Sequence, residues 1–135
     1  MSEKNIATSC IVYSDQTTAT ELPGRALKWL FTSEQSPAKN FSMNMVTIKP
    51  GNSVKPAHSH PDREEVIYIL QGQGQVLLDK TVYDLRKGTA VLFPPGLVHM
   101  VRNTGDVEME ILCFFAPAAT LNNYVFHEEV VFPES

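Results

Sequence analysis

The chain has 135 residues and a mass of 15.0 kDa, enough for one domain and too short for a second. Hydrophobic residues make up 43% and charged residues 19%, a globular balance that excludes a largely disordered chain. A formal net charge of -4 and a pI near 5.5 supply no basic face and argue against nucleic acid as a partner.

Residues 1–24 read as an N-terminal arm. Met1 to Ile6 lacks the cationic start and apolar run of a signal peptide. The longest apolar stretch, Ile111 to Ala116, is too short to span a bilayer, so a cytoplasmic protein with no membrane partner is expected. The arm carries one β-prone run, Ser9 to Tyr13, expected as an edge strand or as a strand exchanged with a second subunit. Pro23-Gly24 is a turn signal, and Ala26 to Phe31 follows as a strand whose Trp29 suits a core or dimer interface. Between Phe41 and Lys49, Phe41, Met43 and Met45 alternate with Ser42 and Asn44, the period of a strand with one face inside. That phase assigns Met43 and Met45 to the core or to the lining of a pocket.

Glu65 to Leu70 is rich in Val, Ile and Tyr and reads as a buried strand with Glu65, Ile67 and Ile69 on one face and Tyr68 on the other. Gly72-Gln73-Gly74 turns it into a strand from Gln75 to Asp79, and no helix pattern follows to make those glycines a nucleotide signal. Further strands are expected at Thr81 to Leu85, Thr89 to Phe93, His99 to Arg102 and Glu108 to Phe115, the last carrying either Leu112 and Phe114 or Ile111, Cys113 and Phe115 inward. Pro117 breaks that strand, and residues 118–135 form a C-terminal tail with a short helical turn and a final strand from Tyr124 to Phe132. Cys10 and Cys113 are best read as two reduced thiols. Eight to eleven short strands separated by Gly, Pro, Asn and Asp turns, with no long helix, describe an all-β jelly-roll barrel over 25–117.

Three of the four histidines fall at metal-ligand spacing. His58 and His60 are two apart, so on an extended chain they share a face. Pro61 to Glu64 turns the chain, and Glu65 opens the next strand where its carboxylate can look back at them. His99 follows the rigid Pro94-Pro95-Gly96 bend. Three imidazoles and one carboxylate suit one divalent Mn, Fe, Co, Ni, Cu or Zn ion per chain, and ligand softness does not choose among them. Asp62, Arg63 and Glu64 lie at the mouth of this cluster, and Glu64 is the weak candidate for an acid, base or gate. His127, the fourth histidine, is expected at the surface.

In these residues the chain resembles the cupin superfamily. The first cupin motif is a glycine, five residues, His-x-His, three or four residues, a glutamate, six residues and a glycine. His58, His60, Glu65 and Gly72 fit it, while Gly51 sits one residue too far upstream. The second motif, a glycine, five residues, Pro-x-Gly, two residues, a histidine, three residues and an asparagine, is matched at every position by Gly88, Pro94, Gly96, His99 and Asn103. The resemblance implies a cupin jelly-roll barrel, also described as a double-stranded β-helix, with His58, His60, Glu65 and His99 as metal ligands. It further implies a homodimer formed by sheet packing or exchange of the N-terminal strand.

On a five- or six-coordinate metal, four protein ligands leave one or two open positions, the mark of a catalytic site. The expected function is a metal-dependent oxidoreductase, similar to the small cupins related to quercetin-type dioxygenases, acting on a small chelating oxygenated or aromatic substrate. Its rivals are a non-redox decarboxylase, isomerase or cyclase, and a ligand-binding module without catalysis. Oxalate decarboxylases and germin-like proteins share the motifs, but the decarboxylases are usually two-domain cupins with a lid glutamate, and no residue here takes that part.

Overall fold

The computed structural model describes residues 10–118 and 124–133. Eleven strands occur among them: β1 (Thr20–Leu22), β2 (Arg25–Phe31), β3 (Ser42–Ile48), β4 (Ala57–Ser59), β5 (Glu64–Gln71), β6 (Gln73–Leu78), β7 (Thr81–Arg86), β8 (Ala90–Phe93), β9 (His99–Asn103), β10 (Met109–Ala116) and β11 (Val125–His127). They form a six-stranded sheet in the order β1-β2-β3-β10-β5-β8 and a five-stranded sheet in the order β11-β4-β9-β6-β7, with every pairing between these strands antiparallel. The all-β jelly roll read from the strand pattern is the architecture observed.

The strands alternate because one face of each must be dry. In β10, Met109, Ile111, Cys113 and Phe115 are buried, and in β5 Glu65, Ile67 and Ile69 are. With Leu27, Val46, Ile48, Val76, Leu85, Phe93 and Val101 they make one core. Trp29 packs half-buried against it, its ring centroid 6.2 Å from that of Phe115.

Three expectations are corrected. The run from Cys10 to Tyr13 is not an edge strand of its own chain's sheets; it is exposed, leads into a 3-10 turn at Ser14–Gln16, and the first strand is β1, while Ser9 lies outside the described residues. β3 has the opposite phase to the one expected: Ser42, Asn44, Val46 and Ile48 are buried, and Met43 and Met45 lie half-buried on the outer face. Both alternating sets in β3 are partly apolar, so the pattern carries no preferred phase. The register does: Asn44 is opposite Cys113 of β10, and Cys113 is opposite Ile67 of β5, all on the inward face. The final strand is Val125–His127 alone, because Glu128 and Glu129 turn the chain away. Beyond that turn Phe132 packs on Ala57, Leu77 and Met100, under the Arg102 guanidinium 4.1 Å from its ring centre. The helical turn expected earlier in the tail lies largely outside the described residues.

Gly72 and Gly74 have different reasons to be glycine. Gly72 makes the β5–β6 turn at φ +88. Gly74 sits within β6, where an added Cβ would lie 2.1 Å from the Arg102 carbonyl oxygen and 2.7 Å from Met109 Sδ. Gly74→Ala is therefore expected to lower the melting temperature by at least ~5 °C, the consequence of ~1–3 kcal/mol of overpacking; an unchanged melting curve would show that β6 and β9 can separate freely.

Candidate metal centre

The site forms where the two sheets meet. β4 and β9 carry His58 and His99 as a direct cross-strand pair, with His60 just past the end of β4 on the same side. β5, on the other sheet, presents Glu65. The Pro94 to Leu97 segment closes a turn through Leu97 N–H to the Pro94 carbonyl, 3.1 Å, with Gly96 at φ +83. Gly96 N–H also donates to the His60 carbonyl at 2.9 Å, which fixes this bend, and so the start of β9, against the first histidine pair.

One ligand atom from each of His58, His60, Glu65 and His99 lies within 4.8 Å of the other three, and all four residues are buried. The His58 Nδ1–H donates to the Pro56 carbonyl at 3.2 Å and the His99 Nδ1–H to the Leu97 carbonyl at 3.0 Å, which leaves Nε2 of each ring as a lone pair. Phe93 lies flat on the His99 ring, centroids 3.8 Å apart and 6° from parallel, and restricts its rotation.

The fit to a cation rests on atoms that lack partners. His60 Nδ1 and Nε2, His99 Nε2 and Glu65 Oε1 are buried with no hydrogen bond. His60 Nε2 and His99 Nε2 approach Glu65 Oε1 to 3.2 and 3.3 Å without the alignment of a hydrogen bond. Native interiors rarely leave four such atoms in one place, and a cation among them would satisfy Glu65 Oε1, His99 Nε2 and one of the two His60 nitrogens. Burial alone would raise the Glu65 carboxyl, but the His60 and His99 imidazoles outweigh it and hold it below the usual range. Burial first and His99 second lower His58 to about 3. At neutral pH the cluster therefore presents a neutral His58 and an ionised Glu65, the forms that ligate a metal.

The sign of the pH dependence follows. In the unfolded chain His58 binds a proton near its ordinary 6.5, and in the metal-free fold only near 3. The unfolded state thus holds more protons between those values, so stability is full above about 6.5 and falls as pH drops toward about 3. Glu65, also depressed, adds to the loss at the acid end of that window. Urea titrations of metal-free protein at pH 7.5 and pH 5 are expected to give the lower midpoint at pH 5, and His58→Gln is expected to reduce that difference.

Of the other residues named from sequence, Glu64 is exposed on the face of β5 opposite Glu65 and does not reach the cluster. Arg63 is buried; its Nε bonds Asp62 Oδ1 at 2.8 Å and its guanidinium donates to the Ala118 carbonyl, tying the end of the last long strand to the loop after His60. Tyr68 is exposed. His127 is half-buried, its Nε2 3.1 Å from Ser59 Oγ, on the far side of β4 from His58. Cys10 is at the surface and Cys113 is buried, so they are not bridged.

Sequence reasoning missed four residues that line the cavity beside the cluster: Arg25, Asn44, Cys113 and Tyr124. Only Cys113 had a signal, as one of the two phases offered for β10. Tyr124 stacks on His58 at 4.7 Å and meets His60 edge-on at 4.5 Å. Burial first, then Glu65, push both the Cys113 thiol and the Tyr124 phenol upward, so both stay protonated. The remaining lining is Leu, Val, Ile and Phe, and the free space of the cavity is about 40 Å³, against ~150 Å³ in an engineered cavity that takes up benzene.

Comparison with known families decides the assignment. Residues 44–115, more than half of the chain, match the cupin domain model. The chain belongs to the cupin family. It is 32% identical over 109 residues to the protein SchB of Streptomyces halstedii, covering 81% of this chain and 78% of SchB. The next curated relatives are spanned over 56% and 62% of their lengths. Among solved structures, a predicted oxalate decarboxylase from Thermotoga maritima superposes with a TM-score of 0.72 at 23% identity, covering 79% of this chain and 98% of that one. The polyketide cyclase RemF of Streptomyces resistomycificus gives 0.68 at 21% identity, with 78% of each chain covered. At these identities the structural likeness shows the cupin fold alone.

Proposed function

We propose that this cupin is a metal-dependent enzyme in which His58, His60, Glu65 and His99 hold one divalent transition metal, and that its substrate is a small, enolisable oxygen compound. The observation that carries this is four buried, mutually converging ligand atoms beside a cavity that His58, Glu65 and His99 line. A purely structural ion would need no cavity, and this core is large enough to fold without one. The bound metal would supply Lewis-acid polarisation of a substrate oxygen. His58 and His99, each anchored through Nδ1, keep their Nε2 atoms aimed at the metal position, and the apolar lining from Ile67, Val101 and Ile111 keeps water away from the reacting oxygen.

Non-redox chemistry, namely decarboxylation, isomerisation or cyclisation, is the leading reaction class, because Lewis-acid polarisation of a substrate oxygen works with every ion this donor set takes, zinc included. A dioxygenase-like oxidoreductase is the second, because the same donor set takes Fe, Mn, Ni or Cu. Keto acids and β-diketones supplied to metal-loaded protein under argon and in air separate them. Turnover under argon supports the first class; turnover only in air, with oxygen consumed, supports the second. Saturable binding with no turnover in either would leave a small-ligand-binding module.

A homodimer is proposed on one surface feature. The outer face of the six-stranded sheet exposes Val66, Tyr68, Leu92 and Phe114 together, and a second copy packed there would cover them. A cytoplasmic setting, whose thiols stay reduced, suits the unbridged Cys10 and Cys113.

A further inference from the structure

The cavity has a second polar wall that the four ligands do not account for. Its polar side chains other than those ligands are Arg25, Asn44, Cys113 and Tyr124. Asn44 is 1% exposed, and its Oδ1 has no hydrogen-bond partner. Native proteins seldom leave a buried amide in that state, and a ligand reaching it would relieve the deficit. Arg25 stands on the inward face of β2, four residues before Trp29, which is opposite Asn44 of β3, and both side chains, Arg25 and Asn44, line the same cavity. Among the described residues no carboxylate pairs with it; its guanidinium contacts the Pro23 carbonyl at 3.3 Å and lies beside the Tyr124 hydroxyl. Tyr124 in turn stacks on His58, which links this wall to the ligand cluster.

The charges agree with this arrangement. A divalent ion with the Glu65 carboxylate and three neutral imidazoles carries a net +1, and Arg25 is the one cation among the described cavity-lining residues. Excess positive charge in an apolar enclosure asks for an anion, and a guanidinium is the group whose fork matches a carboxylate. The small open volume sets the size.

We infer that Arg25, with the Asn44 amide and the Tyr124 hydroxyl, forms a carboxylate-binding subsite, and that the substrates of this cupin are small carboxylic acids that chelate the metal with one pair of oxygens and present a free carboxylate oxygen to Arg25. The inference rests on the metal-site reading, and it names the substrate class.

Two chelators test it by isothermal titration on zinc-loaded protein. Oxalate can give one oxygen from each carboxylate to the metal and still project two more; acetylacetone spends both oxygens on the metal and projects only carbon. Arg25→Gln is expected to weaken oxalate binding about 10- to 100-fold, the loss of a charge-assisted pair, and to leave acetylacetone binding and zinc content unchanged. Arg25→Lys is expected to fall between, because it keeps the charge and loses the fork. Asn44→Leu, close in size, is expected to weaken oxalate several-fold. Equal weakening of both chelators, or oxalate binding that ignores Arg25, would overturn the subsite. Wild-type protein that holds no zinc would overturn the metal reading instead; the comparison of oxalate binding by wild-type and Arg25→Gln protein without metal would then decide the subsite, and binding that does not depend on Arg25 would overturn it too.

Discussion

His99→Ala is expected to abolish stoichiometric metal binding while leaving the barrel folded. The wild-type protein, loaded with a divalent ion and desalted, is expected to hold about one per chain. The variant is expected to fall below about a tenth of that, because three remaining ligands lose both a donor and the geometry imposed on it by the Leu97 carbonyl and the flat Phe93 ring. Deleting a ligand leaves a gap beside Glu65 that water can enter, so the carboxylate is hydrated rather than stranded. Its close contact with His60 at 3.2 Å remains. The melting temperature of the metal-free protein is therefore expected to change little, and the stabilisation that added zinc gives the wild type is expected to vanish. Glu64→Ala, on the opposite face of the same strand as Glu65, is the matched control and is expected to keep full occupancy. Full metal content in His99→Ala would overturn the four-ligand assignment.

Asn103→Ala is expected to do the reverse: to cost a large part of the stability without touching a ligand. The side chain is buried and spends its whole amide on the backbone. Nδ2 donates to the Ile48 carbonyl at 2.9 Å and to the Val107 carbonyl at 2.8 Å, and Oδ1 accepts from Gly105 N–H at 2.8 Å. It thereby clamps the end of β3, the β9–β10 turn and the end of β9 together. Alanine would strand two carbonyls and one N–H, at ~1–3 kcal/mol for each group that water cannot reach. Allowing for hydration of the turn, a loss of ~3–5 kcal/mol is expected, a large part of a typical domain stability of ~5–15 kcal/mol. Urea denaturation of the metal-free proteins reads it directly, and a loss under ~1 kcal/mol would show that the turn rearranges without the clamp. The asparagine at the end of the second cupin motif thus works as a backbone clamp, in contrast to His99 four residues earlier.

The motif glycines and prolines illustrate how far local sequence reaches. Gly96 at positive φ and the preceding prolines make a turn that any reader of the sequence can place, because turn chemistry is decided within four residues. The phase of β5 was legible through Glu65: a carboxylate turned toward the two imidazoles carries Ile67 and Ile69, which share its parity, inward with it. β3 shows the limit. Met43 and Met45 look as suitable for a core as Val46 and Ile48, and only pairing with β2 and β10 makes Asn44 an inward residue. The N-terminal run from Cys10 to Tyr13 shows another: β propensity expresses itself only where an edge is available to pair with, and no pairing is made there.

By itself the sequence determined the all-β architecture, the strand and turn positions through the motif region, and the four residues able to share a metal ion, since each follows from periodicity, turn chemistry or spacing of a few residues. Tertiary structure alone decided what surrounds that ion. Arg25, Asn44 and Tyr124 come from strands and a tail separated from the histidines by up to dozens of residues, and nothing in their local sequence marks them. They meet at the cavity because β2 and β3 belong to one sheet, β4 and β9 to the other, and the tail after β10 returns to pair with β4. Long-range strand order is set by which faces can be buried together, a property of the whole fold that no short window of the chain contains.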